Sequence, residues 1–141
     1  MRDFHLLGRS QAVSKNGMVA TSHTLASLVG IEILNKGGNA VDSAIAMALI
    51  LPLCEPQSTG LFGDVFCILK QADSEKYVGL NGSGKSPLLI DSESLRSKNF
   101  NKIPETDICS ITMPGAVKSF ENLNAKFGKM DLYDICKPAI F

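Results

Sequence analysis

The spacing of apolar residues predicts helices near both ends of the chain. Apolar positions three and four residues apart indicate a helix that Ser22 or Thr24 caps and that runs to about Lys36, where a glycine pair ends it. A second helix is expected to end at Gly128, and its apolar stripe consists of Val117, Phe120, Leu123 and Phe127. Asp131 then caps a last helix with the sequence LYDICK.

The segment AVDSAIAMALIL, residues 40–51, is apolar on almost every side of a helix. Asn39 is a suitable cap for it, and Asp42 lies close to its positive end. Pro52 and Pro56 are expected to end the helix. Because the segment is too short to cross a bilayer, we predict that it is a buried core helix.

Short apolar runs between polar turns predict strands. VFCILK at 65–70 is expected to be a fully buried strand, and KYVGLN at 76–81 follows it after a polar turn, so the two should form an antiparallel hairpin. MVAT at 18–21 and ICSITM at 108–113 are further candidate strands. A short helix is expected around 92–98, within a polar loop.

Length and charge are those of a single soluble domain. The 141 residues are enough for one hydrophobic core, and their mixture of helices and strands predicts an α/β (α+β) fold over residues 1–141. Fourteen basic and fourteen acidic residues cancel, which argues against binding to nucleic acid or to a membrane. The N-terminal segment has no signal-peptide pattern, so we expect a cytoplasmic protein. The apolar final residues PAIF predict that the domain is incomplete and continues in a longer polypeptide.

Neither the cysteines nor the histidines form a pattern typical of catalysis or metal binding. Four cysteines without a C-x-x-C spacing are expected to be free, buried thiols, namely Cys54, Cys67, Cys109 and Cys136. His5 is expected in an irregular arm and His23 at a helix start, rather than in a Cys–His nucleophile pair. We therefore predict no metal or cofactor site.

Residues 79–86, GLNGSGKS, match the phosphate-loop pattern G-x-x-x-x-G-K-[ST]. In that motif backbone N–H groups and the lysine hold phosphates, and the hydroxyl holds Mg²⁺. Here Pro87 follows at once and disfavours a helix start. The preceding strand also belongs to a predicted antiparallel hairpin, whereas phosphate loops occur in parallel units. A nucleotide-binding module at Gly79–Ser86 is therefore not the favoured function, although the motif matches it.

Several longer motifs resemble the opening of the γ-glutamyltranspeptidase family. KGGNAVDSAIA and EPQSTG are highly specific to that family, and SITMPGAVKSF and FGKMDLYDICKPAI also match it. The resemblance runs from about Phe4 to the last residue and covers only the beginning of the family's large subunit. It implies the αββα sandwich of an N-terminal nucleophile hydrolase, with only its N-terminal portion present.

The resemblance implies an acyltransferase or amide hydrolase that acts on γ-glutamyl compounds such as glutathione. Such a precursor cleaves itself, and a threonine becomes the first residue of the small subunit and the nucleophile. No catalytic residue is then expected in this chain. The implied partners are the rest of the large subunit, the threonine-led small subunit and a small acyl amide substrate. The alternative is a truncated, non-catalytic remnant, which a genuine stop codon after Phe141 would support.

The resemblance also assigns substrate-binding residues. Typical members carry D-G-R-E-x-A-P where this chain has LNGSGKSP, and their arginine binds the α-carboxylate of the γ-glutamyl group. Asn81, Gly82 and Ser83 align with D-G-R, and Gly84 aligns with the glutamate. The chain therefore resembles the branch without this arginine, which includes acylase-like members. Asp64, in a turn that the resemblance puts near the pocket, is a candidate for a polar contact or for capping that turn.

Overall fold

The computed structural model describes residues 11–98 and 100–140. Its helices are α1 Thr24–Asn35, α2 Ala40–Cys54, α3 Ser92–Ser97, α4 Ala116–Phe127 and α5 Leu132–Ile140. The strands β1 Val65–Lys70 and β2 Tyr77–Gly82 form one antiparallel hairpin. The predicted α+β class and the predicted hairpin are therefore confirmed.

The caps of α1 and α2 agree with the local sequence. The Nδ1 atom of His23 accepts a hydrogen bond from the N–H of Leu25 at 3.2 Å, so His23 is the cap of α1. Its expected place at the helix start is confirmed, and the expectation that Ser22 or Thr24 caps the helix is wrong. Gly37, with a φ of 92°, takes the left-handed conformation that follows the end of α1. Asn39 caps α2 by accepting hydrogen bonds from the N–H groups of the second and third helical residues.

Helix α2 continues through Pro52, so the expectation that this proline ends it is wrong. Proline lacks an N–H and so removes only one bond of the ladder, here in the last turn. The N–H of Glu55 still bonds to the carbonyl of Leu51 at 2.7 Å and closes that turn. The helix ends at Cys54, just before Pro56.

Helix α2 lies at the centre of the molecule, as its apolar sequence predicts. It packs against α1, α4 and α5, and the buried apolar side chains of this cluster are Val29, Ile33, Ile45, Ala46, Ala116, Phe120, Leu123 and Ile135. The backbone of α1 comes close to α2 at Gly30, whose carbonyl accepts a hydrogen bond from the Ser43 hydroxyl at 2.9 Å. A side chain at Gly30 would overlap Met47.

The hairpin packs on the helices through one face only. Val65, Cys67 and Leu69 are half-buried against the helical core. Phe66 and Ile68 alternate with them and are 70% and 80% exposed. The expectation of a fully buried β1 is therefore wrong for this chain, because helices cover one face of the hairpin and the other face is open.

Two of the expected strands do not form. Residues 18–21 are irregular, and 108–110 form a short 3₁₀ helix. The reason is that neither segment has a partner strand within residues 11–98 and 100–140, where the single sheet consists of β1 and β2. A local hydrogen bond favours the 3₁₀ turn, since Asp107 accepts from the N–H of Cys109 at 2.8 Å.

None of the helices in the described part of the chain combines the length and the apolar character that crossing a bilayer requires. The cytoplasmic location is a separate question and stays a prediction. The same holds for the assignment of residues 1–141 to one incomplete domain.

Candidate functional site

The candidate substrate-binding residues lie together at the end of β2. We call residues 81–86 the Ser83 loop. The side-chain oxygen of Asn81 accepts a hydrogen bond from the N–H of Ser83 at 3.0 Å, which is a turn typical of asparagine. Asn81 is paired with Phe66 across the hairpin, and both residues are exposed on its open face. Ser83 is exposed as well.

Asp64, the residue just before β1, contacts the Ser83 loop directly. Its Oδ1 atom accepts a hydrogen bond from the N–H of Gly84 at 2.8 Å and another from the hydroxyl of Thr112 at 3.1 Å. One carboxylate oxygen therefore connects the turn before β1 with the loop after β2 and with the segment before α4.

Backbone hydrogen bonds join the same three segments. The carbonyl of Gly63 accepts from the N–H groups of Gly115 and Ala116, at 3.2 and 2.9 Å, and so provides acceptors for the unpaired donors at the start of α4. The N–H of Met113 donates to the carbonyl of Lys85 at 2.9 Å. The bond from Met113 thus holds the Ser83 loop directly, and the bonds to Gly63 hold the segment before α4 against the turn before β1.

Three glycines allow these segments to approach closely. A Cβ atom at Gly82 would overlap the hydroxyl of Ser119, and one at Gly115 would overlap the carbonyl oxygen of Gly82. A Cβ atom at Gly84 would overlap the carbonyl oxygen of Met113. With the backbone in this position, the loop has no room for the glutamate that the D-G-R-E motif would place at 84.

The Ser83 loop is not arranged as a phosphate loop, although its sequence matches one. Gly79–Gly82 belong to β2, and the next helix begins only at Ser92, after Pro87. The N–H of Gly84, which a phosphate cradle would need, donates instead to Asp64. The strand–loop–helix context of the motif is therefore missing here.

We therefore expect no saturable binding of ATP or GTP. Titration of the protein with a fluorescent ATP analogue in the presence of Mg²⁺ measures this directly. Binding in the micromolar range that disappears in Lys85→Ala would contradict the prediction, because it would show that the motif works despite its backbone.

Neither Cys109 nor Cys136 is an activated nucleophile. A hydrogen bond with Asp107 raises the pKa of the Cys109 thiol, and burial raises the pKa of Cys136. A raised pKa keeps a thiol protonated and unreactive at neutral pH. His23 is occupied as a helix cap, and His5 lies outside the described residues.

Within 11–98 and 100–140, no three His, Cys, Asp or Glu side chains come together as a metal site.

Thr112 belongs to this cluster of segments but is not predicted from the sequence. The apolar run ICSITM favours a strand, and in a strand Thr112 would only be part of a ladder. The dipeptide Pro114–Gly115, directly after this apolar run, is the signal against a strand. Proline cannot donate to a ladder, and glycine permits another segment to approach closely.

Comparison with known proteins agrees with the motifs. The family model described as Gamma-glutamyltranspeptidase matches residues 26–141. The glutathione hydrolase-like YwrD proenzyme of Bacillus subtilis is 37% identical over 123 residues, which are 86% of this chain and 23% of that protein. The glutathione hydrolase proenzyme of the same organism is 30% identical over 132 residues, which are 91% of this chain and 22% of that protein. The chain thus spans less than a quarter of the length of these two relatives.

Solved structures show the same fold. Cephalosporin acylase from Bacillus halodurans has a TM-score of 0.86 and 37% identity, with 98% of this chain and 26% of that chain covered. The γ-glutamyltranspeptidase of Helicobacter pylori has a TM-score of 0.82 and 29% identity, with 93% of this chain and 38% of that chain covered. The fold is therefore the N-terminal portion of an N-terminal nucleophile hydrolase. The chain belongs to the γ-glutamyltranspeptidase family.

Proposed function

We propose that the chain supplies the N-terminal part of the large subunit of an acyltransferase or amide hydrolase. The observation that carries this proposal is the family match over residues 26–141. The partners are the remainder of the large subunit and a small subunit that begins with threonine. The open apolar face of the hairpin, with Phe66 and Ile68, is a surface available for such partners.

In the proposed reaction the threonine hydroxyl attacks the carbonyl carbon of an acyl amide. The threonine's own α-amino group accepts the hydroxyl proton and then passes a proton to the leaving amine. Water or a second amine afterwards takes the acyl group from the threonine ester. Because the nucleophile belongs to the small subunit, we expect this chain alone to be inactive.

In this proposal the Ser83 loop lines the acyl-donor pocket, with Asn81, Gly82 and Ser83 in contact with the donor. Ser83 stands where the D-G-R-E motif has an arginine, and a hydroxyl cannot form the charged, two-pronged contact with a carboxylate. Loss of such a contact costs roughly 1.5–3 kcal/mol, or about ten- to a hundredfold in affinity. We therefore expect substrates whose acyl group is not held by an α-carboxylate.

Two matched donors test this function in the full-length protein. γ-Glutamyl-p-nitroanilide and 4-aminobutyryl-p-nitroanilide differ only in the α-carboxylate, and release of p-nitroaniline is followed by absorbance. We expect self-cleavage into two subunits and hydrolysis of the second donor at least as fast as that of the first. A protein that neither cleaves itself nor hydrolyses any acyl anilide would contradict the proposed function. Strong activity that depends on the carboxylate would instead contradict the role of Ser83.

A further inference from the structure

Asp64 is placed to control the backbone of the Ser83 loop. Its Oδ1 atom accepts hydrogen bonds from the N–H of Gly84 and from the hydroxyl of Thr112. Gly84 directly follows Ser83, so a shift of the Gly84 amide also shifts the residue proposed to line the pocket. The partners lie 20 and 48 positions away along the chain, which means that the contact is tertiary rather than local.

These hydrogen bonds contribute little to the stability of the fold. Asp64 is exposed, so water can satisfy both donors when the carboxylate is removed. The backbone bonds between Gly63 and the start of α4 also remain in place without the Asp64 side chain. The main effect of Asp64 is therefore expected on the position of the Ser83 loop and not on the free energy of unfolding.

The charge of Asp64 has no cationic partner in the described part of the chain. Four ion pairs form there, and none of them includes Asp64. Typical family members have a guanidinium in this loop. Here the loop instead has the carboxylate of Asp64 beside it, hydrogen-bonded to the N–H of Gly84. A second carboxylate brought close to this loop would be repelled.

We propose that Asp64 is a positioning residue that fixes the Ser83 loop, and that its negative charge makes the acyl-donor pocket select against acyl groups bearing a carboxylate. This inference rests on the proposed function and names its substrate class. The preferred donors are amides with a neutral or positively charged acyl group.

Two substitutions separate the hydrogen bonds from the charge. Asp64→Asn keeps an oxygen that can accept from Gly84 and Thr112 but removes the charge. Asp64→Ala removes both. Asp73→Ala is the matched control, because Asp73 is an exposed aspartate in the turn between β1 and β2 and lies outside the cluster around Ser83.

Amide hydrogen exchange of the full-length protein tests the positioning role without any substrate. We expect exchange at Gly84 to be about tenfold faster in Asp64→Ala, because its N–H loses its acceptor. In Asp64→Asn and Asp73→Ala it should stay within about twofold of the wild type. Unchanged exchange at Gly84 in Asp64→Ala would overturn the positioning role, whether or not the protein is an enzyme.

Kinetics with the two matched anilides test the effect of charge. We expect Asp64→Asn to raise kcat/KM for γ-glutamyl-p-nitroanilide about fivefold relative to 4-aminobutyryl-p-nitroanilide, mainly through KM. Asp64→Ala should lower kcat/KM for both donors about tenfold, because the loop loses its position.

The same donor preference in wild type and Asp64→Asn would overturn the selectivity. A wild type inactive on all anilides would contradict the proposed function and with it the selectivity, and the exchange experiment would still decide the positioning role.

Discussion

Replacement of Asp42 by alanine should lower the free energy of unfolding by about 3 kcal/mol or more. The carboxylate is fully buried at 0% exposure, and it is the acceptor for several main-chain donors. It accepts from the N–H of Lys129 at 3.0 and 3.1 Å, from Met130 at 3.3 Å and from Asn39 at 2.9 Å. Alanine would leave these partly buried N–H groups without an acceptor and would leave a cavity.

The loss of stability should be largest in the segments that Asp42 connects, which are far apart along the chain. The residue lies in the first turn of α2 and holds the link between α4 and α5. The carbonyl of Phe127, the last residue of α4, also accepts a hydrogen bond from the Asn39 side chain at 2.7 Å. We therefore expect faster amide exchange at Lys129 and Met130 together with a lower urea midpoint. Asp73→Ala removes an exposed aspartate and should change stability by less than about 0.5 kcal/mol. Equal urea midpoints for the two variants would contradict this assignment.

Arginine at position 83 should raise kcat/KM for γ-glutamyl-p-nitroanilide about tenfold, chiefly through KM. The guanidinium would supply the missing contact with the α-carboxylate, and this contact exists in both the ground state and the transition state. Hydrolysis of 4-aminobutyryl-p-nitroanilide should not gain, because that donor has no carboxylate. A similar gain on both donors would show that Ser83→Arg acts by another route.

Adding the glutamate of the family motif at position 84 should reverse this gain. In the double variant Ser83→Arg with Gly84→Glu, the new Cβ at 84 overlaps the carbonyl oxygen of Met113 and displaces the loop. We expect activity on both donors to fall below that of the wild type, and stability to fall by about 2 kcal/mol. Gly79→Ala is the matched control for backbone strain, since a Cβ at Gly79 meets no atom within 4 Å. A double variant as active and stable as Ser83→Arg would contradict the close packing of Gly84 against the carbonyl of Met113.

Local chemistry explains which elements the sequence predicts correctly. The cap of α2 depends on Asn39 and Asp42, three positions apart, so a short window contains the whole signal. The expected strand at 108–113 fails because a strand needs a partner, and no short window shows whether that partner exists. The exposed side of β1 is missed for the same reason, since its apolar sequence does not reveal which face the helices cover.

The candidate site likewise has a local part that the sequence predicts and a long-range part that it does not. Ser83 and Asn81 are candidates because a family motif passes through them, and their mutual hydrogen bond spans only two positions. The hydrogen bonds that Asp64 accepts from Gly84 and Thr112 connect residues far apart along the chain, and no pattern of spacing predicts them. Tertiary packing determines that part of the site.

The glycines around the Ser83 loop also restrict how this loop can vary through mutation. Gly82, Gly84 and Gly115 are closed to every side chain unless the backbone moves, so substitutions there should be lost from any pool of folded variants. Ser83 lies between two of these fixed positions and is exposed. A saturation library at this codon alone should therefore retain nearly all of its members as folded protein. Under the proposed role of Ser83 in the donor pocket, a screen of that library would sample acyl-group preference separately from folding defects.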